Sequence, residues 1–252
     1  MTTIVHAETL EVTTFTDLFK VLGNVTPEVT IDFAHNGLHI MLMTPCRNCV
    51  VNVEMSANNF IKYQCTPAKV SFGIPLSHLN NILHITDKHA QLIISADDTS
   101  MLKICSLHPM GRSCCHTIQP LDLTPNKQIE PNTEYDVSFE MPTNELHRLC
   151  KHLAKFCKNL TIKHTSDKIS FIGDSYGIKG EIFYATNQYK GHCKGDNVET
   201  IGQYPLQMIN QFSSCVDLCP TVEISMNVEL YPIRLRYKIG TFGDMDVYIA
   251  PI

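Results

Sequence analysis

The stretch TIQPLDLTPNKQIEPNTEY, residues Thr117 to Tyr135, has no sustained helical or strand period and contains three prolines. Each proline removes a backbone hydrogen-bond donor and pushes the residue before it toward an extended conformation, so neither a helix nor a central strand continues through the stretch. Segments of this length without secondary structure are uncommon inside compact domains and usually serve as linkers or binding loops. The stretch therefore predicts a connector between two halves of the chain, with a solvated surface loop as the alternative.

The sequence on the two sides of the connector follows the same order of predicted elements. Hydrophobic periodicity predicts a strand, a helix, a set of short strands, a second helix and a final set of strands in each half. AHNGLHIML matches TSDKISFIG, and PLSHLNNIL matches PLQMINQFS, at an offset of about 130 residues. This repeat predicts an α+β fold of two similar domains of antiparallel sheets with two helices each, residues 1–117 and 135–252, joined by an interdomain connecting loop at 118–134.

Composition excludes several classes of protein. The 252 residues are 44% hydrophobic, which suffices for a globular core, and no apolar run reaches membrane-spanning length. The first residues do not resemble a signal peptide, so the eleven cysteines are expected to remain thiols in a reducing compartment. A net charge of -5 argues against a protein that coats nucleic acid through general positive charge.

The pattern closest to a metal site is the pair Cys46 and Cys49, with Cys114, Cys115 and His116 as further candidate ligands. A structural zinc site needs four such groups in one place, and the chain has no second CxxC pair. The glycine-rich, P-loop and HExxH cofactor motifs are absent, and no cysteine stands in a recognisable catalytic arrangement. We therefore expect no metal, no cofactor and no enzymatic activity.

The predicted helix from Thr143 to Lys158 separates apolar from basic residues. Its apolar stripe consists of Leu146, Leu149, Cys150, Leu153 and Cys157. Its other side carries Arg148, Lys151, Lys155 and Lys158, spaced three or four residues apart. Solvated helices usually mix charges of both signs, so this pattern indicates an anionic partner, with a lysine-rich solvent face as the alternative.

Four segments carry a resemblance to a known family: LTIKHTSDKISFIGDS, IRLRYKIGTFGDMDVYIAPI, YDVSFEMPTNELHRLCKHL and the LDL of the connector. Over nearly its whole length the chain resembles the DNA sliding clamps of the proliferating cell nuclear antigen family. The resemblance implies the DNA clamp fold and a closed homotrimeric ring whose helices line a hole around non-specific double-stranded DNA. It implies a non-catalytic processivity factor that binds a DNA polymerase, a clamp loader and other replication and repair proteins with short clamp-binding peptides, without a membrane partner. The implied location is the nucleus, or the site of viral DNA replication.

The resemblance also assigns site residues. It implies that the DNA-facing residues are Lys20, Arg148, Lys151, Lys155 and Lys158. It implies a hydrophobic partner-peptide pocket at Met43, Arg47, Val50, Ile129, Pro232, Tyr248, Ala250 and Pro251. It implies subunit contacts along Ser113, Cys114, Cys115, His116, Thr117 and Ile118, and along Gly180, Glu181, Ile182, Phe183 and Tyr184.

The chain departs from the family at positions where clamps usually carry basic residues. These positions hold Thr16, Asp17, Gly23, Asn81, His84, Gln207 and Ser214. This keeps a second hypothesis open, a protein-interaction scaffold of clamp fold that does not encircle DNA. The connector also has Gln128 and Glu130 where relatives tend to be apolar, which together with Arg47 predicts an altered partner preference.

Overall fold

The computed structural model describes residues 3–123, 134–185, 190–193, 199–229 and 231–252. The first half of the chain forms β1 (Val5–Thr9), α1 (Val12–Gly23), β2 (Glu28–Ala34), β3 (Gly37–Met43), β4 (Cys49–Ser56), a short 3-10 helix (Ala57–Asn59), β5 (Lys62–Cys65), β6 (Lys69–Pro75), α2 (Leu76–Ile85), β7 (Gln91–Ala96), β8 (Leu102–Leu107) and β9 (Ser113–Ile118). The second half forms β10 (Val137–Pro142), α3 (Thr143–Leu153), β11 (Asn159–His164), β12 (Lys168–Ser175), β13 (Ile178–Ala185), β14 (Gly191–Cys193), β15 (Thr200–Pro205), α4 (Leu206–Ser213), β16 (Thr221–Met226), β17 (Ile233–Ile239) and β18 (Gly243–Ile249).

These elements group into two compact units that exchange two short segments. Residues 238–245 belong to the first unit, with the bulk of the first half of the chain. Residues 45–50 belong to the second unit, with the bulk of the second half. Each unit therefore completes itself with a segment that is distant in sequence.

The first unit contains an antiparallel sheet in the order β5-β1-β7-β8-β9, and β2 pairs antiparallel with β3 and β6. Alternating apolar residues of these strands face the core. Ile31 of β2, for example, lies opposite Ile40 of β3 and Phe72 of β6. Helices α1 and α2 pack against each other. In the core, the rings of Phe15 and Phe242 meet edge to face with centroids 5.4 Å apart.

The second unit contains an antiparallel sheet in the order β13-β12-β11-β15, and a second set of strands in the order β14-β10-β16-β17. Helices α3 and α4 pack against each other. The largest fully buried side chain is Tyr237, whose hydroxyl donates to the carbonyl of Phe212 at 3.0 Å. Antiparallel sheets and two helices in each unit confirm the predicted fold class. No helix in the described ranges is long and apolar enough to cross a membrane.

Three helices begin in the same way, directly after a proline in an extended conformation. These prolines are Pro75 before α2, Pro142 before α3 and Pro205 before α4. The N–H of Leu76 donates to the carbonyl of Pro27 at 2.9 Å. The N–H of Leu206 donates to the backbone carbonyl of Lys158, also at 2.9 Å. The two donors and the two acceptors are each about 130 residues apart, which supports the internal repeat.

Helix α3 is shorter than the predicted helix, which ran to Lys158. It ends at Leu153, and the N–H groups of Phe156 and Cys157 both turn back to the carbonyl of Leu153, at 3.1 and 3.0 Å. Strand β11 then begins at Asn159, so the chain has left the helix axis before Lys158. Lys155 and Lys158 therefore follow the helix rather than lie on it.

The expectation that every cysteine is a thiol is wrong for one pair, because Cys105 and Cys115 form a disulfide. These residues face each other directly on β8 and β9, with Cα atoms 4.0 Å apart. Side chains at directly opposite positions of an antiparallel pair come close enough to react. The other nine cysteines are not in disulfides.

Candidate functional site

Four exposed cations lie on α3 or in the short segment between α3 and β11. Arg148 and Lys151 are exposed on the helix, and Lys155 and Lys158 are exposed just after it. The guanidinium of Arg148 lies 3.0 Å from the carboxylate of Glu145, which partly neutralises it. The three lysines have no ion-pair partner among the described residues. This surface, which we call the α3 basic face, can bind an anion.

His147 adds no charge to the α3 basic face near neutral pH. Its Nδ1 lies 3.0 Å from the hydroxyl of Ser213, and that hydroxyl donates to the carbonyl of Asn210 at 2.8 Å. The hydroxyl therefore accepts a hydrogen bond from the ring. Burial, and secondarily the charge of Lys151, lower the pKa of His147. The neutral ring acts as a structural link between α3 and α4.

The other helices carry few cations. Lys20 is exposed on α1, which also carries Asp17. Helices α2 and α4 contain neither lysine nor arginine. The predicted DNA-facing cations are therefore concentrated in the second unit.

All eleven residues predicted for subunit contacts lie on two outer strands. β9 is the last strand of its sheet in the first unit, and β13 is the last strand of its sheet in the second. Except for Ile118, these residues are exposed or half-buried. Phe183 of β13 is 63% exposed, which is unusual for a phenylalanine in a strand. Two outer strands thus offer backbone groups and apolar side chains to a partner.

A cavity of about 430 Å³ lies beside β9 in the first unit. Its lining includes Ile85 at the end of α2, Met110 before β9, and Cys114 and His116 on β9 itself. Met110 is 88% exposed, although it is apolar. The lining also contains Asp87, His108 and Arg112, so the cavity beside the outer strand is of mixed polarity.

Five of the residues predicted for the partner pocket belong to the second unit and are apolar and half-buried: Val50, Pro232, Tyr248, Ala250 and Pro251. Arg47 of the same unit is exposed, and Met43 is half-buried in the first unit. Ile129 lies outside the described residues. Tyr248 lies between the buried Val247 and Ile249, so it is on the outward face of β18.

Backbone and aromatic contacts hold these residues together. The N–H of Ala250 donates to the carbonyl of Asn48 at 2.9 Å, which joins the chain end to the loop at 45–50. The hydroxyl of Tyr135 donates to the carbonyl of Pro232 at 3.4 Å. Burial, and secondarily the charge that the Tyr248 phenol would carry, raise the pKa of Tyr135. The sequence did not lead us to place Tyr135 with the predicted pocket residues, although this aromatic residue directly follows the connecting loop.

Arg234 supports Tyr135 from behind. Its guanidinium lies over the Tyr135 ring, 4.8 Å from the centroid, and donates to the carboxylate of Glu223 at 2.8 Å. Because the guanidinium is fixed by both contacts, it holds the ring in place. Arg234 thus links Tyr135 to Glu223.

The candidate metal ligands are separated between the two units. Cys46 and Cys49 belong to the second unit, and Cys114, Cys115 and His116 belong to the first. Burial raises the pKa of Cys49 to about 12, which keeps it a thiol. Among the described residues, no group of three or more His, Cys, Asp or Glu side chains is arranged to hold a metal ion.

Two family profiles match the chain in sequence order. One, described as "Proliferating cell nuclear antigen, N-terminal domain", matches residues 4–109. The other, described as "Proliferating cell nuclear antigen, C-terminal domain", matches residues 129–252. Together they cover most of the chain and leave residues 110–128 between them.

Similar whole proteins carry related names. A "Probable DNA polymerase sliding clamp" of Acanthamoeba polyphaga mimivirus is 29% identical over 221 residues, which is 86% of this chain and 47% of that relative. "Proliferating cell nuclear antigen 2" of Drosophila melanogaster is 24% identical over 238 residues, which is 91% of this chain and 90% of that relative. The crystal structure of proliferating cellular nuclear antigen from Entamoeba histolytica has a TM-score of 0.90 at 17% identity, covering 100% of both chains. This structural likeness concerns the fold.

Proposed function

The chain belongs to the proliferating cell nuclear antigen family of DNA sliding clamps, and we propose that it closes as a homotrimeric ring around duplex DNA and holds a DNA polymerase on its template. The observation that carries the proposal is the match of both family domains, in order, at residues 4–109 and 129–252. In this role the protein is a processivity factor and performs no catalysis. We place the domain boundaries at 1–117 and 135–252, with the connecting loop at 118–134.

Ring closure is supported by the two outer strands. A head-to-tail ring needs two different edges on each subunit, and β9 and β13 are two different edges. We infer that residues 113–118 of one subunit pair with residues 180–184 of the next. The exposed apolar residues near both strands, such as Met110 and Phe183, become buried in such a contact.

DNA binding is supported by the α3 basic face. The four cations give about a dozen per ring, and each phosphate that they neutralise releases counterions, so binding is weak and depends on salt. Stable attachment then comes from the closed ring rather than from affinity. The contact is non-specific, since backbone phosphates carry no base sequence.

Partner binding is supported by the apolar surface around Pro232, Tyr248 and Ala250. The backbone N–H of Ala250 donates to the carbonyl of Asn48. A DNA polymerase, a clamp loader and other replication and repair proteins dock there through short peptides with apolar anchors. The protein acts where DNA is replicated, in the nucleus or at a site of viral replication.

The test of the proposal combines mass and topology. Light scattering should give the mass of three chains. At a protein concentration where rings open and reclose spontaneously, the protein should be retained on nicked circular DNA and lost when that DNA is linearised. Equal retention on circular and linear DNA, or a monomeric mass, would instead support the scaffold that does not encircle DNA.

A further inference from the structure

Arg47 has an uncommon backbone conformation at the border of the apolar surface. Its φ is 55°, and among the described residues it is the only one other than glycine with a positive φ. This region is disfavoured for a residue with a Cβ atom, so the surroundings must hold Arg47 in it. The hydrogen bond from Ala250 to the carbonyl of the next residue, Asn48, supplies that support. Arg47 is therefore fixed next to the chain end that carries Tyr248 and Ala250.

Among the residues that the structure describes, none compensates the charge of Arg47. The other described arginines of the second unit have carboxylate partners: Arg148 with Glu145, Arg234 with Glu223, and Arg236 with Asp246. Arg47 is exposed and has no ion pair with any described residue. An unpaired guanidinium thus borders a half-buried apolar surface.

We propose that Arg47 selects partner peptides that place a carboxylate beside the apolar anchors. The proposal rests on the docking surface proposed above and adds the chemistry of the partner to it. A guanidinium binds a carboxylate through two parallel hydrogen bonds and repels a cation at the same position. Specificity then comes from attraction of acidic peptides together with rejection of basic ones. The preferred partners of this protein therefore carry an acidic residue next to their docking turn.

Calorimetry with synthetic peptides tests this inference. Each peptide carries one aliphatic and two aromatic anchors, with glutamate, glutamine or lysine placed in turn at every position that flanks the anchors. At the position that meets Arg47, wild type should bind the glutamate peptide about fivefold more tightly than the lysine peptide, as for one partly exposed ion pair. This ratio should approach one in Arg47→Gln, reverse in Arg47→Glu, and shrink as salt rises.

Two controls protect this test. Arg47→Gly removes the charge and accepts a positive φ without strain, so it should fold at least as well as wild type and lose the preference. Lys88→Gln removes an exposed cation from the first unit and should keep the preference.

Three outcomes would contradict the proposal in distinguishable ways. A glutamate-to-lysine ratio that is equal in wild type and Arg47→Gln overturns the role of Arg47. Weaker retention of Arg47→Gln on circular DNA, with unchanged peptide preference, assigns Arg47 to DNA instead. Failure of every peptide to bind wild type, or binding that is unaffected by Tyr248→Ala, overturns the docking surface itself.

Discussion

The helix pair α1 and α2 of the first unit and the pair α3 and α4 of the second share their packing but differ in their charges. Asn80 and Asn210 are the fifth residues of α2 and α4. Each has a buried side-chain oxygen without a hydrogen-bond partner among the described residues. A buried oxygen without a hydrogen bond costs free energy. Its presence at matching positions indicates that the two helix pairs pack in the same way.

The exposed faces of the two pairs have diverged. At matching positions, α1 has Asp17 where α3 has Arg148, while Lys20 matches Lys151. Buried positions are constrained by neighbouring side chains, whereas exposed positions can change at little cost in stability. The comparison teaches that packing preserves the repeat, while the exposed cations are concentrated in the second unit.

The largest effect is expected at the proposed contact between subunits. Cys115 and Cys105 have Cα atoms 4.0 Å apart, the spacing of a non-hydrogen-bonded pair, so the N–H of Cys115 points away from β8. Cys115→Pro removes that outward donor and should convert the trimer to a folded monomer in light scattering. Cys115→Ser removes the disulfide, keeps the donor and should remain trimeric. An unchanged mass for the proline variant would contradict the assignment of β9.

The next effect concerns the α3 basic face. Lys151→Glu combined with Lys155→Glu should abolish stimulation of a polymerase on long templates while the trimer persists, because both changes repel phosphates. The matched change in the first unit, Lys20→Glu, should cause a smaller loss. Full stimulation by the double variant would mean that the second unit is not the main DNA contact.

A smaller effect is expected at the apolar surface of the second unit. Tyr248→Ala combined with Ile129→Ala should lower the affinity for a partner peptide at least about tenfold, or about 1.4 kcal/mol, because apolar anchors lose their contacts. Ile61→Ala removes a 58% exposed apolar side chain from the first unit and should have no effect. Calorimetry that gives equal affinities for the double variant and wild type would move the docking site elsewhere.

The smallest effect is expected from substitutions that make the charges of the two helix pairs more alike. Asn81→Lys combined with His84→Lys adds two cations to the exposed face of α2. Duplex DNA binding at low salt should tighten about threefold, and the gain should shrink as salt rises. No gain at low salt would indicate that α2 does not face DNA.

The helices and most strands could be predicted because their apolar residues recur at clear periods. Short outer strands such as β5 and β15 were not predicted. β5 has one buried residue, Cys65, so its four residues give no alternation to detect. In β15 the apolar Ile201 is exposed while Gly202 is buried beneath the Tyr204 ring, which reverses the expected pattern. Helix α3 was predicted too long because Phe156 and Cys157 continue the apolar period through a turn.

The candidate site could be predicted where charge or family resemblance marked it, and less well where it depends on distant contacts. The cations at Arg148 and Lys151 follow from spacing alone. The hydrogen bond between Asn48 and Ala250 joins positions about 200 residues apart, which no local pattern reveals. Tyr135 was missed for the same reason, since its role depends on Pro232 and Arg234.

The exchange of segments between the units has a consequence for synthesis on the ribosome. Phe242 packs against Phe15 and Phe60, with centroids 5.4 and 4.9 Å away, and all three belong to the first unit. Domains usually fold as they emerge, with the N-terminal domain first. Here the core around Phe15 remains incomplete until residues 238–245 have been made. During synthesis, the aromatic residues of the first unit therefore remain exposed until this segment is added. For the same reason, cutting the chain at the connector cannot give two separate, complete proteins.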